Sequence, residues 1–223
     1  MKRIIAFLLV LSSVLLVACG GREGEATEYG FIDEETGTEY VDVKPLGLYA
    51  VNKGEEFLTV KVGESEQMYY KVQFEDSKQF LCYEDSGEFL LVRNKNTEEP
   101  TLATFDPIAA FIYNETNTVK ITNFFADAEY LPEGSKYNNP TEDSDLCRLI
   151  ANQLTNGEAV EVNSGDILKD DMFFIRLLSQ KYPGLYYIVV FYGATDGRYY
   201  LFDRAADKTV LCPYDIIVRI VGE

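Results

Sequence analysis

The side chains of this chain that could carry chemistry are carboxylates and thiols: 37 Asp and Glu and four Cys stand beside no His at all. Histidine is the usual general base, the partner of Ser or Cys nucleophiles and a common ligand of catalytic zinc. Mechanisms assembled from those standard parts are therefore excluded. Among many carboxylates close in sequence, Asp143 with Asp145, Asp170 with Asp171, and Asp196 with Asp203 are the candidate pairs. Oxygen ligands of this kind suit calcium, and two carboxyls facing each other across a cleft can hydrolyse a glycoside without histidine. None of the pairs sits in a D-x-D-x-D-G loop followed by a distant Glu, so turns and helix caps are the plainer reading and no metal is expected. Ser164 and Ser179 lack the G-x-S-x-G elbow, and neither a Walker sequence nor G-x-G-x-x-G occurs. No catalytic residue and no cofactor is assigned.

Cys19 stands apart from the other thiols by its context. Lys2 and Arg3 precede an apolar run over positions 4–17 that ends in Leu16-Val17-Ala18-Cys19. As a helix that run is only about 22 Å long, short of the roughly 30 Å hydrocarbon core, so it reads as an export signal and not a span. Leu16 stands where an ordinary secretory cleavage site has a small residue. Leu16-Val17-Ala18-Cys19 instead resembles the lipobox of bacterial prolipoproteins at every position. The resemblance implies that residues 1–18 are a signal peptide, that the Cys19 thiol receives a diacylglycerol, and that the folded part is held at the extracytoplasmic face of a cell membrane. Two acyl chains suffice for stable anchoring. The C-terminal segment is similar in style to uncharacterised Firmicute-type surface lipoproteins, which transfers no functional residue.

The formal charge of −17 argues against nucleic acid and against a basic patch on anionic lipid. With Cys19 assigned to lipid, Cys82, Cys147 and Cys212 are an odd set that can form at most one disulfide. Each lies in an apolar stretch, which favours buried free thiols; a bridge stays open. Trp is absent while Tyr (16) and Phe (14) are plentiful, which suits half-buried strands.

The elements that must position these residues are mostly strands. Residues 19–38, rich in Gly, Glu and Thr, predict a flexible acidic tether. Residues 39–131 form a β-rich region, with short aromatic and β-branched runs at 48–51, 57–62, 68–74, 79–83 and 89–92 between polar turns. Consecutive hairpins predict an antiparallel meander or small barrel. A short helix could start at Asp106-Pro107, and residues 111–113 and 119–122 read as a further hairpin. The breaker at 132–140 marks any boundary between subdomains. In residues 141–223 the apolar period lengthens: Leu146, Leu149, Ile150 and Leu154 share a helical face that ends at Asn156-Gly157. Strands follow at 172–178, 185–192 and 199–202, with 188–191 apolar on both faces as in a central strand. Residues 213–221 fit either a closing helix or an edge strand. The fold class is α+β, mostly antiparallel sheet with one or two helices, as one domain or two subdomains.

The hairpin over residues 185–204 concentrates aromatic residues. Alternation sends some of them to the core and leaves the others as an exposed face, so Tyr186, Tyr192, Tyr199 and Tyr200 are the candidate binding residues. The functional expectation is a lipid-anchored, non-catalytic module that binds an envelope protein or glycan. The alternatives are a carboxylate-dependent hydrolase of envelope glycans and the solute-binding receptor of a transporter.

Overall fold

A computed structural model of the chain describes residues 22–43, 47–114 and 144–221. The leader, Cys19, Asp143, the strand expected at 119–122 and the breaker at 132–140 lie outside the described residues. Within them the protein is mostly β, with a closed seven-stranded barrel continuing into an open sheet.

The barrel begins where a tether was expected. β1 (Glu23–Thr27) and β2 (Gly30–Asp33) form a hairpin, and β2 pairs with β3 (Glu39–Asp42). β4 (Leu48–Ala50) leads to β5 (Lys53–Val62), β6 (Ser65–Val72), β7 (Phe80–Asp85) and β8 (Glu88–Asn94), successive antiparallel partners from β5 onward. β8 also pairs with β3, and β1 pairs with β5 in parallel, so the ring closes as β1-β2-β3-β8-β7-β6-β5. The expected antiparallel sheet is thus a mixed barrel. A parallel pair needs a long crossover, here β2 to β4, and no local turn signal announces it.

Residues 19–38 look tether-like because each barrel strand owes the interior so little. Phe31, Tyr40, Leu58, Val60, Tyr69, Leu81 and Val92 form one buried cluster, in which Phe31 packs on Tyr40 at 5.1 Å and Tyr69 at 4.3 Å between ring centroids. β1 contributes only a glycine to the wall: a Cβ at Gly24 would come within 3.1 Å of Ile32 O and Val60 Cγ2. Gly30 has φ 150°, and a Cβ there would overlap the Tyr40 carbonyl.

β4 is the joint between barrel and sheet. On one side it meets β8 at Leu90; on the other it pairs with residues 185–187 of β11 (Leu185–Ala194). The rest of that β11 edge takes β12 (Tyr199–Asp203), followed by β13 (Lys208–Leu211). Its other edge takes β10 (Ile167–Ser179), which in turn pairs with β9 (Pro107–Asn114). One sheet therefore spans both regions that the sequence separates. β11 is central, and all ten of its residues are buried.

Three helices are described. α1 (Leu102–Phe105) ends at Asp106, φ 51°, one residue before β9, so the helix precedes Asp106-Pro107 instead of following it. α2 (Ser144–Asn156) buries Leu146, Cys147, Ile150, Ala151 and Leu154; Leu149 is turned outward, and Cys147 takes the place expected for it. Gly157 N–H closes α2 on Gln153 O at 2.8 Å. α3 (Tyr214–Val221) settles the ambiguous tail as a helix: Ile216 and Ile220, four apart, are its buried face, and Pro213 O accepts the Ile216 N–H at 3.1 Å. The main core, with Phe80, Phe105, Tyr187 and Phe191, lies between the barrel wall, β9–β12 and the helices.

Candidate functional site

Alternation along β10 sends Ile175 and Leu177 into the core and leaves Phe174, Arg176 and Leu178 on the opposite face. The same face receives Tyr113 from β9, Tyr186 from β11 and Tyr49 from β4. Tyr49 stacks on Tyr186 with centroids 5.4 Å apart, and Tyr113 on Phe174 at 5.5 Å. Arg176 lies among them with its side chain only 11% exposed. Its guanidinium carbon is 4.7 Å from the Tyr186 ring centroid and 5.1 Å from that of Tyr113, and Nε donates to Tyr113 Oη at 3.1 Å. Glu88, at the start of β8, stands 3.5 Å from the guanidinium and accepts from Tyr186 Oη at 2.8 Å.

The electrostatics fix the protonation states of this frame. Burial pushes the Arg176 pKa down, but Tyr186, Tyr113 and Glu88 outweigh it, so the guanidinium stays charged. Burial raises the Tyr186 pKa, which keeps the phenol a donor. A caged cation, aromatic rings and phenol donors can hold and orient a ligand. Among the described residues the frame places no nucleophile beside a base.

The four expected binding residues occupy neither one face nor the surface. Tyr186, Tyr192 and Tyr200 share a face but are 3%, 4% and 3% exposed, whereas Tyr199 points to the core and stacks on Phe191 at 5.1 Å. Tyr192 and Tyr200 stack on each other at 5.6 Å beneath Val160, Val162 and Met172. The exposed aromatic patch is thus corrected to a buried one, of which Tyr186 alone reaches the Arg176 frame. Alternation separates the two faces of a strand but does not reveal which outward face another segment covers.

Asp196 and Asp203 are held apart, at opposite ends of β12. Asp196, in the β11–β12 turn, accepts from Tyr200 Oη at 2.7 Å and Arg198 Nε at 2.8 Å, and these bonds hold its pKa below the ordinary value. Asp203, at the far end of β12, accepts from Tyr187 Oη at 2.8 Å and from the Ala205 and Ala206 amides. Asp170 and Asp171 lie where the β10 register shifts, and Asp145 is an exposed helix residue 3.9 Å from Arg148. Glu23, Glu25, Glu34 and Glu66 line a groove of about 440 Å³ with Arg22 and Lys61, and all four glutamates are exposed. Among the described residues no group of three His, Cys, Asp or Glu could hold a metal ion. Cys82, Cys147 and Cys212 are buried and outside any disulfide, and burial pushes the Cys82 and Cys212 thiols up to about 12.

Arg176 is not among the residues singled out from the sequence, where its one signal is a lone cation inside the apolar run Phe173-Phe174-Ile175-Arg176-Leu177-Leu178. Its partners could not be read with it, because they come from β4, β8, β9 and β11. No protein-family model matches the chain, and neither a curated protein nor a solved structure matches it significantly.

Proposed function

We propose that this protein is a lipoprotein held through Cys19 at the extracytoplasmic face of a cell membrane. Its folded part acts there as a non-catalytic module that binds an envelope protein or glycan. The observation that carries this reading is the leader: Lys2 and Arg3, a short apolar run, and Leu16-Val17-Ala18-Cys19. The Arg176 frame supports the binding role, since its fixed donors and rings orient a ligand without supplying reactive groups. Its accessible rim is Tyr113, Phe174 and the half-exposed Glu88.

The alternatives find less support. A carboxylate-dependent hydrolase needs two carboxyls facing each other across a cleft, whereas the acidic groove among the described residues holds exposed glutamates beside Arg22 and Lys61. A transporter's solute receptor would set parallel sheets around a central cleft, whereas the single parallel pair described here closes a barrel.

Cys19→Ser tests the anchor. Wild-type protein is expected in the membrane fraction with a diacylglycerol-modified N-terminal Cys19, and the variant is expected to remain unlipidated. An unmodified wild-type Cys19 overturns the reading. For binding, Arg176→Met is expected to abolish capture of an envelope component that the wild type retains, with the fold unchanged by circular dichroism.

A further inference from the structure

The paired registers across β9–β12 order the side chains on the face that carries Arg176. Phe174 stands opposite Tyr113 and Val190, and Val190 opposite Phe202, which makes one apolar row. In the next row Arg176 stands opposite Ile188. Asp203 lies opposite Val189 and turns to the core, where it accepts from Tyr187 Oη. Arg204, one residue on, therefore turns to the Arg176 face beside Ile188. The Tyr49 phenol locates it there: burial raises that pKa, and the charge of Arg204, more than that of Arg176, pulls it down. Two cations thus flank Ile188, their backbones two strand spacings or about 10 Å apart, in a chain of formal charge −17.

Neither cation has its full set of bonds. Arg176 commits Nε to Tyr113 Oη; Nη2 has Glu88 at 3.5 Å, a charge contact without a hydrogen bond, and Nη1 makes no hydrogen bond among the described residues. Both Nη atoms reach the surface, because among the described residues only Arg93 Nε is a buried side-chain nitrogen or oxygen without a partner. Arg204 is half-buried and makes no hydrogen bond or ion pair among the described residues. A ligand carboxylate would supply what both guanidiniums lack.

We infer that Arg176 and Arg204 together bind a glycan that carries carboxylates, its sugars lying along the row of Phe174 and Phe202. This rests on the reading of the folded part as a non-catalytic binding module at the envelope. In a two-fold extended glycan the same side returns at every second sugar, so carboxylates one disaccharide apart meet the two cations. An acidic peptide fits less well: in an extended strand side chains two residues apart are separated by about 6.6 Å, and those three apart face opposite ways. Glu88 already stands beside Arg176, so it favours a singly charged carboxylate over the double charge of a phosphate monoester.

The test titrates the full chain, expressed in a lipoprotein-processing host and checked by N-terminal mass analysis, in a calorimeter. The probes are tetragalacturonate, chitotetraose as the neutral glycan and tetraglutamate as the acidic peptide. Only tetragalacturonate is expected to bind, more weakly as salt rises. Arg204→Met should weaken it about tenfold or more at an unchanged melting temperature, since Arg204 makes no bond within the described fold. Glu88→Gln should tighten it about threefold, because the amide oxygen still accepts from Tyr186 while the competing charge is gone. A purely structural Glu88 gives no such gain. Absence of binding, equal binding of tetraglutamate or chitotetraose, or wild-type affinity in Arg204→Met overturns the inference and leaves the module reading standing. Cleavage of tetragalacturonate overturns the non-catalytic reading itself, and an unmodified Cys19 overturns the anchor.

Discussion

In the barrel, β1 buries one residue of five and β5 two of ten, while in the open sheet β11 buries all ten. Both regions are built of strands, yet they meet the cost of burying backbone in different ways. The barrel closes on itself, so each strand hydrogen-bonds on both edges and contributes at most two fully buried apolar side chains to a narrow interior. The open sheet covers β11 with neighbouring strands on both edges, with helices on one face and aromatic side chains on the other. The difference teaches that an acidic, apolar-poor segment can be a structural strand when closure supplies its partners.

The largest test of this contrast removes a ring from each region. Phe31→Ala in the barrel and Phe191→Ala in the sheet are each expected to cost about 3 to 5 kcal/mol, measured by urea unfolding. Because β4 bonds to both β8 and β11, each variant should lower one shared transition. Two separate transitions would break the picture of a single cooperative unit.

Next in size is the clasp that closes the barrel. Burial alone would raise the Asp33 pKa, but hydrogen bonds from Arg22 and Thr36 and the Arg22 charge outweigh it, so the native value lies below the ordinary one. Asp33→Ala should cost about 2 kcal/mol at pH 7, since it leaves Arg22 without its buried partner. For a depressed carboxyl the stabilisation is complete above the unfolded pKa of about 4 and is lost as pH falls through the native value. The gap between variant and wild type should therefore narrow in acid. A gap unchanged at pH 2.5 would place the loss in packing and not in the ion pair.

The Arg176 frame gives a smaller effect, and one of a different kind. Arg176→Ala is expected to cost about 1 to 2 kcal/mol, chiefly through lost stacking with Tyr113 and Tyr186. Glu88 is 49% exposed and 3.5 Å away, so a double-mutant cycle between the two should yield under about 1 kcal/mol. A larger coupling would mean that this joint depends on charge, as the barrel clasp does.

The smallest effect should stabilise. Burial raises the Glu75 pKa, and the hydrogen bond from Gly184 N–H only partly opposes that. A raised native carboxyl disfavours the charged form in the fold, so Glu75→Gln should gain about 0.5 kcal/mol at pH 7. The gain should begin to fall as pH drops through the native Glu75 value and vanish below the lower, unfolded one. Thermal melts at pH 7 and pH 4 read both.

Local patterning located β4 to β8, β10 to β12 and α2 to within a few residues, because alternation and helical period are properties of adjacent side chains. It failed at β1 and β2, where only Gly24, Phe31 and Asp33 are buried and the rest reads as solvent-facing coil. The parallel β1–β5 closure joins residues more than thirty apart, and no residue type announces it. The site followed the same division. Tyr186 was visible in an aromatic hairpin, but its neighbours Arg176, Glu88 and Tyr49 converge only through the shared sheet. Tyr199 and Tyr200 were placed together by sequence and are held on opposite faces by the pleat.

The parallel pairing of β1 with β5 also decides how the fold carries mechanical load. A pull on the chain at Arg22 directed along β1 stresses its bonds to β5 and to β2 side by side, in shear, so they cannot yield one at a time as in a zipper. The Arg22–Asp33 clasp stands first in that line. A domain tugged by whatever its far end has gripped would thus pass the force into the whole β1 seam before any strand peels away.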